Sequence, residues 1–577
     1  MEIPRRPPPE VPPGERPVIK PARRGSSVSY KNKTLLSTID PIAAADRAAA
    51  EQAPAGQDRT LYFCPSPLFG YGLETLLSRL GADSAVVCVE TDGELLKLSR
   101  SSIGARVLAH PRLILAGPGN GEELRALVRE TWGARVFRRV VVLKLSGGWQ
   151  LDGAAYEELA ETLRRDIALD WGNAMTLVKL GRRFAWNSIR NLALLGRSPP
   201  LGAASLASRP VLVLGAGPSL DPALDALEAA GLPRGGDRPF ALICVDTCLG
   251  LLRERGLRAD LAVILESQFW NQRDFTGLRG AGVPAAVDLS AYPPTAEILG
   301  GPVFVFFTPW TELRLFNRLA PAGLLPPALP PLGSVGLTAV ELARRLTRGP
   351  VIIAGIDFSF PADRTHARSS PAHLASLLGQ NRFHSPVNAA GVFRAGVFTA
   401  RSKAGLPVKS DPALRTYRDL FERRFAGDPR MGDLPGTGLP LGLNTLETEE
   451  AAALLTGGGG RALPGDGVFP AAPAPFSPPA ADPAGLERFM AGEERTLEEL
   501  RRILSGGPGP AGPGGADLEV LLDEADYLWA HFPDCAAAGG RRPPVSDRGF
   551  LKRVRAEIDP FLKRWRLSRL HLPPPGV

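Results

Sequence analysis

The chain has 577 residues, of which 44% are apolar and 22% are charged, so it is long enough for about three or four folded units. This composition allows the bulk of the chain to fold without disulfides or a structural metal. The net charge of +8 is concentrated in residues 1–33 and 541–569, which leaves the body between them mildly acidic. A nucleic-acid-binding protein is expected to carry a basic stripe on its folded body, so we expect no nucleic-acid partner.

Five cysteines are spread thinly through the chain, an odd number that is typical of proteins of a reducing cytoplasm. The first ten residues lack the apolar segment of a secretory signal, and no run of 18 apolar residues is present to span a bilayer. We therefore expect a cytoplasmic protein with no membrane span.

The first half of the chain predicts a disordered tail followed by an α/β domain. Residues 1–25 are rich in proline and arginine and have few large apolar groups, so they are predicted to be disordered. Residues 26–205 are predicted to form an N-terminal α/β domain, because apolar runs alternate with segments of helical spacing. Its strand-like runs are LYFCP, SAVVCVE, RLILAG and RRVVVLKL, and its helix-like runs are GLETLLSRLG, GELLKLSRS and GEELRALVRETWG.

The centre of the chain, residues 206–455, predicts a parallel sheet. Strand-like VLVLG, FALICVD, LAVILE and VIIAGID are separated by helix-like segments, which favours β-α-β units with right-handed crossovers. Residues 456–485 are rich in glycine and proline and are predicted to be a linker. Residues 486–577 contain three segments with helical spacing and are predicted to form a C-terminal helical region.

These elements together predict the fold class α/β, with a central Rossmann-like parallel sheet flanked by an N-terminal α/β domain and a C-terminal helical tail. Ligands of open α/β sheets bind outside the carboxyl ends of the strands. The functional residues of this chain are therefore expected in the loops that follow the central strands.

The sequence VLVLGAGPSLD, residues 211–221, is the strongest local signal. A strand runs into Gly215, Gly217, Pro218 and Ser219 and then into a helix, an arrangement that aims main-chain amides and the positive end of a helix at a phosphate. Leu220 stands where the dinucleotide fingerprint has its third glycine, and there is no P-loop motif, so NAD, FAD and P-loop kinase chemistry are disfavoured. The alternative is that the two glycines only form a tight strand-to-helix turn that binds nothing.

Polar residues also follow three more predicted strands: Asp246 with Thr247, Glu266 with Ser267, and Asp357 with Ser359. Each is compatible with a helix cap alone, but their recurrence at one sheet edge predicts a nucleotide site. His366 and His384 lie in the segment beyond Asp357, and we expect one of them to act as a general base or phosphate donor.

The segments LGAGPSLD, VDTCLGLLRERGLRADLAVILE and GSVGLTAVELARRL with VIIAGIDFSFPADRTHA resemble the central domain of the bacterial motility accessory factors, which are flagellin nonulosonate glycosyltransferases. That domain is shared with 6-hydroxymethylpterin diphosphokinase-like proteins and distantly resembles bacterial sialyltransferases. Further similarity, including GRRFAWNSIRNL and LGLNTLETEEA, extends the resemblance over roughly residues 31–455.

The resemblance implies transfer of a nonulosonic, sialic-acid-like sugar from a CMP-activated donor to Ser or Thr of flagellin or another protein acceptor. It implies no metal and no cofactor, because CMP leaves as a group that carries a single phosphate. Gly215, Gly217, Pro218 and Ser219 would hold the nucleotide, Asp246 stands where the sialyltransferases have a nucleotide-contacting Asn, and Ser334 matches their Ser-Gly contact. The two tyrosines that steady the leaving phosphate in those enzymes fall near Ser359 and His366, so a different set of donors is required here.

Two alternatives remain open from the sequence. One is pyrophosphoryl transfer to a pterin, which normally requires ATP and Mg²⁺. The other is a non-catalytic accessory protein that binds nucleotide sugars for flagellar assembly, in which the replaced tyrosines mark a lost activity.

Overall fold

The computed structural model describes residues 16–133, 136–235, 237–383, 389–457, 481–506 and 517–573. These divide into two compact units, the first with the bounds Met1–Lys179 and Ala530–Pro543, the second with Leu180–Trp529 and Pro544–Val577. The division falls inside a long helix, earlier in the chain than the boundary at residue 205 predicted from the sequence. Within the described ranges, no helix is both long and apolar enough to cross a membrane.

The first unit contains a four-stranded parallel sheet and a separate three-stranded antiparallel sheet, in the orders β6-β5-β4-β7 and β1-β2-β3. The strands are β1 (Val18–Pro21), β2 (Ser26–Tyr30), β3 (Lys33–Thr34), β4 (Thr60–Pro65), β5 (Ala85–Val89), β6 (Leu113–Ala116) and β7 (Arg139–Val142). The helices are α1 (Pro41–Gln52), α2 (Leu73–Arg79), α3 (Gly93–Ser102), α4 (Ala105–Leu108), α5 (Gly121–Trp132) and α6 (Gly153–Leu195), of which α6 continues into the second unit.

Both faces of the parallel sheet are buried, which explains why its strands read as continuous apolar runs. Tyr62 and Cys64 of β4 belong to one apolar cluster, whereas Leu61 and Phe63 belong to another on the opposite face. Helix α5 begins with a capping box, in which the Asn120 side chain accepts from the Glu123 amide and the Glu123 carboxylate accepts from the Asn120 amide.

The predicted disorder of residues 1–25 is wrong for Val18–Pro21. This segment forms β1, which pairs antiparallel with β2 from Val18 opposite Ser29 to Pro21 opposite Ser26. Val18 and Ile19 are exposed, so the segment is ordered by main-chain pairing rather than by apolar burial. A prediction based on apolar content alone misses such a strand. Residues 1–15 lie outside the described residues.

The second unit is built on an eight-stranded sheet in the order β12-β11-β10-β9-β8-β13-β16-β17, in which every neighbouring pair is parallel. The pair β14-β15 forms a separate antiparallel ribbon. The strands are β8 (Val211–Leu214), β9 (Ala241–Val245), β10 (Leu261–Ile264), β11 (Val283–Asp288), β12 (Gly300–Phe306), β13 (Val351–Ala354), β14 (Phe398–Arg401), β15 (Pro407–Ser410), β16 (Met431–Asp433) and β17 (Asn444–Thr445). The predicted parallel sheet is confirmed.

Helices flank this sheet and follow it to the end of the chain. They are α7 (Leu220–Ala229), α8 (Leu249–Glu254), α9 (Pro293–Ala296), α10 (Arg314–Leu319), α11 (Val335–Leu346), α12 (Pro371–Leu378), α13 (Ala389–Val392), α14 (Pro412–Phe425), α15 (Thr448–Thr456), α16 (Pro483–Leu504), α17 (Leu518–Glu524), α18 (Pro533–Ala537) and α19 (Arg548–Arg569). Of these, α18 belongs to the first unit.

The predicted C-terminal helical region is confirmed. Helix α16 packs along α19, and the apolar side chains of both helices are buried at helical spacing. Most of the predicted linker, residues 458–480, lies outside the described residues, while Thr456 ends α15 and Pro483 begins α16. Asp482 caps α16 by accepting hydrogen bonds from the amides of Ala484 and Gly485.

Candidate functional site

The strand order of the second unit reverses next to β8. The chain passes from β8 through β9, β10 and β11 to β12 in one direction and then returns to place β13 on the other side of β8. Leu214, the last residue of β8, pairs with Ala354, the last residue of β13. The turn Gly215–Ser219 and the loop that begins at Gly355 therefore leave the sheet side by side, at the switch point where open α/β sheets bind ligands.

The main-chain amides of the glycine turn are mostly used within the protein. The amide of Gly215 donates to the Ala354 carbonyl at 2.8 Å, and the amide of Gly217 donates to the Gly355 carbonyl at 2.8 Å. The amide of Leu220 donates to the Gly217 carbonyl at 3.0 Å. The sequence predicts that these amides face a phosphate, but in the structure they donate to main-chain carbonyls. The Ala216 amide has no hydrogen-bond partner among the described residues.

Asp357 lies at the amino end of α7, where the sequence predicts the phosphate. The Ser219 amide donates to Asp357 Oδ2 at 2.8 Å, and the Ser219 hydroxyl donates to Asp357 Oδ1. Burial raises the pKa of Asp357, while the hydrogen bonds from Ser219 and the charges of Lys403 and Arg364 oppose that rise. The amino end of α7 is thus already occupied by a carboxyl group, which the chain itself supplies.

A second glycine-containing loop covers Asp357. The Leu439 amide donates to the Asp357 carbonyl at 2.8 Å, and a Cβ at Gly438 would lie 2.8 Å from Asp357 Oδ1. The Ser359 hydroxyl lies 3.2 Å from the Asp357 carbonyl and 3.1 Å from the Thr437 carbonyl. Ser359, a predicted nucleotide contact, therefore donates to main-chain carbonyls in this structure.

The carboxylate of Asp246, after β9, belongs to a buried polar cluster. It accepts from the Thr247 amide at 2.9 Å and from Asn271 Nδ2 at 2.8 Å. The Thr247 hydroxyl donates to Asp274 at 3.0 Å, so the two carboxylates share their donors. Burial raises the pKa of Asp246 to about 7, and the nearby charge of Asp274 adds to that rise. Glu266, which follows the predicted strand LAVILE, differs from Asp246 because its side chain is exposed. Its carboxylate accepts a hydrogen bond from the Gln268 amide at 2.8 Å.

The loop after β13 brings His366 to the glycine turn. The Ala367 amide donates to the Ala216 carbonyl at 2.9 Å, and Arg364 Nη2 donates to the Pro218 carbonyl at 3.4 Å. Burial lowers the pKa of His366, and the positive charge of Arg273 lowers it further, so the imidazole is neutral at pH 7. His384, the other predicted catalytic residue, lies outside the described residues.

Ser334 is the N-cap residue of α11, and its side chain makes no capping hydrogen bond. Helix α11 packs against β8, β9, β10 and β13. A Cβ at Gly336, in the first turn of α11, would lie 3.6 Å from Ile356 Cδ1, in the loop after β13. The amino end of α11 therefore lies at the same edge as the glycine turn, and no side chain of the described residues caps it.

Three further polar groups of this edge were not predicted from the sequence. Asn271 and Asp274, which complete the Asp246 cluster, lie three residues apart in a 3₁₀ helix. The spacing of these two polar residues is the sequence signal that could have indicated them. Asp288 ends β11 and accepts four hydrogen bonds, from the amides and hydroxyls of Ser290 and Thr308, at 2.5 to 2.8 Å. Its strand was not predicted because it contains Pro284 and lies between loops that are rich in glycine.

A buried ion pair completes the edge on the side of β16. Lys403 Nζ lies 2.5 Å from Asp433 Oδ2 and 2.7 Å from the Leu434 carbonyl. Burial raises the pKa of Asp433 to about 6, and the Lys403 charge opposes that rise. Among the described residues, no set of three or more His, Cys, Asp or Glu side chains is arranged to hold a metal ion.

Three comparisons relate this chain to known proteins. A family model described as 6-hydroxymethylpterin diphosphokinase MptE-like matches residues 187–363, which include β8 to β13. An uncharacterized protein of Treponema pallidum (strain Nichols) is 30% identical over 567 residues, covering 95% of this chain and 94% of that protein. The structure of a Maf glycosyltransferase from Magnetospirillum magneticum AMB-1 has a similar fold, with a TM-score of 0.52 and 14% identity, over 97% of this chain and 92% of that one.

The chain therefore belongs to the same family as the Treponema pallidum protein, with the fold of the Maf glycosyltransferase and an MptE-like domain at its centre, which confirms the predicted resemblance to the motility accessory factors.

Proposed function

We propose that the protein is a glycosyltransferase that moves a nonulosonic sugar from a CMP-activated donor to Ser or Thr of flagellin. The observation that carries the proposal is the likeness to a Maf glycosyltransferase over nearly the whole chain. The polar groups collected at the switch point of the central sheet support it, because that edge is where open α/β sheets bind nucleotides.

The donors available to the nucleotide differ from those expected from the sequence. Most amides of the glycine turn, and the Ser219 hydroxyl, are used within the protein, so the phosphate of CMP is assigned to groups beside them. The open Ala216 amide, the uncapped first turn of α11 and the Ser334 hydroxyl are such groups, and all lie at one edge. A helix amino terminus with unsatisfied amides favours an anion by its partial positive charge.

His366 is assigned the role of general base. During transfer, the bond between the anomeric carbon and the phosphate oxygen breaks, and CMP leaves with the electron pair. The hydroxyl oxygen of the acceptor Ser or Thr forms the new bond to the anomeric carbon, and its proton passes to His366. Nδ1 of His366 lies 2.9 Å from the Thr365 hydroxyl, so Nε2 is the nitrogen assigned to the proton.

The test is transfer by the purified full chain. Flagellin incubated with the protein and a CMP-activated nonulosonate is expected to gain the mass of one or more sugar residues, as measured by intact-mass spectrometry, and to release an equal amount of CMP. The control is CMP alone, which is expected to leave the mass of flagellin unchanged. CMP-sugar binding with no gain in flagellin mass would favour the accessory-protein alternative.

The match to the MptE-like family model favours one further candidate, pyrophosphoryl transfer to a pterin. In that case 6-hydroxymethylpterin and ATP would be converted to the pterin diphosphate and AMP, and EDTA would abolish the reaction. The proposed sugar transfer is instead expected to continue in EDTA and to consume no ATP.

A further inference from the structure

The 3₁₀ helix Phe269–Phe275, which follows β10, has one buried face and one exposed face. Asn271 and Asp274 lie three residues apart and contact the buried Asp246 and the half-buried Thr247. Trp270 and Arg273 are also three residues apart, and side chains at that spacing eclipse each other along a 3₁₀ helix. Their side chains are 59% and 60% exposed, so the exposed face presents an indole beside a guanidinium.

This exposed face is held firmly in place. Asn271 is only 5% exposed, and Phe275 is buried at the end of the segment. The ring of Phe269 packs against that of Trp270 with centroids 4.0 Å apart. Among the described residues, Arg273 has one loose ion pair, at 3.8 Å to Asp274, whose carboxylate already accepts from Thr247. The guanidinium therefore keeps most of its donors for a ligand.

The loop that carries His366 and this 3₁₀ helix pack on the same helix, α8. A Cβ at Gly250, in α8, would lie 2.9 Å from the Ser369 carbonyl of that loop. Thr247, which precedes α8 by two residues, contacts Asp274. After burial, the positive charge of Arg273 is the second cause that lowers the pKa of His366. Arg273 and the proposed base thus border the same space above the carboxyl ends of the strands.

We propose that Trp270 and Arg273 bind the acidic sugar of the donor, with Arg273 paired to its carboxylate and Trp270 stacked on its ring. This inference rests on the proposed function. A nonulosonic sugar carries its carboxylate on the anomeric carbon, so a cation that binds this group must lie beside the base that serves the same carbon. A guanidinium matches a carboxylate with two parallel hydrogen bonds. Arg273 therefore selects acidic sugars over neutral ones.

The experiment is calorimetric titration of the full chain with CMP-N-acetylneuraminate and, separately, with CMP. Arg273→Gln is expected to weaken binding of CMP-N-acetylneuraminate at least tenfold while changing the affinity for CMP less than twofold. Arg273→Lys is expected to recover part of the loss, because the charge remains and the bidentate geometry does not. Trp270→Ala is expected to weaken binding of CMP-N-acetylneuraminate but not binding of CMP. Trp270→Phe is expected to retain most of the affinity for CMP-N-acetylneuraminate.

Arg279→Gln is the matched control, because Arg279 is exposed and follows the same segment, and it is expected to bind both ligands like the wild type. Equal affinity of Arg273→Gln and wild type for CMP-N-acetylneuraminate would overturn the inference, as would an equal loss for both ligands. Equal affinity of the wild-type protein for CMP and for CMP-N-acetylneuraminate would overturn the inference but not the proposed function. A wild-type protein that binds neither ligand overturns the proposed function together with it.

Discussion

Replacement of Gly217 by alanine is expected to destabilise the second unit by about 3 kcal/mol, the upper part of the range for overpacked sites. A Cβ at this position would lie 2.5 Å from Asp357 Oδ2 and 2.6 Å from the Gly355 carbonyl. Both neighbours are fixed, since Asp357 is buried and holds Ser219, and Gly355 follows the central strand β13. Urea unfolding of the full chain, followed by circular dichroism, measures the loss.

Gly235→Ala is the matched control, because a Cβ there meets nothing within 4 Å. It is expected to change stability by less than about 0.5 kcal/mol. If the Gly217→Ala variant were as stable as the wild type, the two loops at the switch point would not pack as described. The same geometry applies to Gly217→Asp, in which a loss of nucleotide binding would reflect a disrupted turn and would not by itself identify a phosphate contact.

Replacement of His366 by alanine is expected to reduce the rate of sugar transfer by about 10²- to 10⁴-fold, the usual contribution of a general base. Binding of CMP is expected to be unchanged, because the imidazole acts on the acceptor hydroxyl. The measurement is the initial rate of CMP release in the presence of flagellin, together with the dissociation constant for CMP. His110→Ala, in the first unit, is the control and should transfer at the wild-type rate.

The pH dependence of transfer provides a second readout for His366. Burial and Arg273 hold its pKa below the usual value, so the basic form predominates at neutral pH and is lost only in acid. The transfer rate is therefore expected to rise with pH through an apparent pKa below about 6.5 and to be level at pH 7. Arg273→Gln removes one cause of the lowering and is expected to move this apparent pKa upward. Normal transfer by His366→Ala would remove this residue from the mechanism.

Much of the second unit could be predicted because its inner strands are fully buried. β8, β9, β10 and β13 are short apolar runs with glycine or a polar residue one or two positions after the strand, which is the pattern of a parallel sheet covered on both faces. The outer strands β11 and β12 were missed because Pro284 and the glycines at the start of β12 are typical of turns. Neighbouring strands, rather than local propensity, hold these segments extended.

The edge of the sheet at which the candidate residues lie could be predicted from the sequence, but the contacts among them could not. The sequence placed Ser219 and Asp357 at one edge, yet it could not show that the carboxylate of one would bind the amide and hydroxyl of the other. Such a pairing joins residues 138 positions apart and depends on the strand order, which single-sequence patterns do not encode. For the same reason the glycine turn indicated a phosphate, whereas the structure also gives its glycines a packing role against Gly355.

The most direct test of this account is a crystal structure of the full chain with CMP-N-acetylneuraminate. The nucleotide is expected at the carboxyl ends of β8, β9 and β13, beside Ala216 and Ser334, with the sugar between His366 and Arg273. Density for the ligand on any other surface, or none in crystals grown at a saturating ligand concentration, would contradict it.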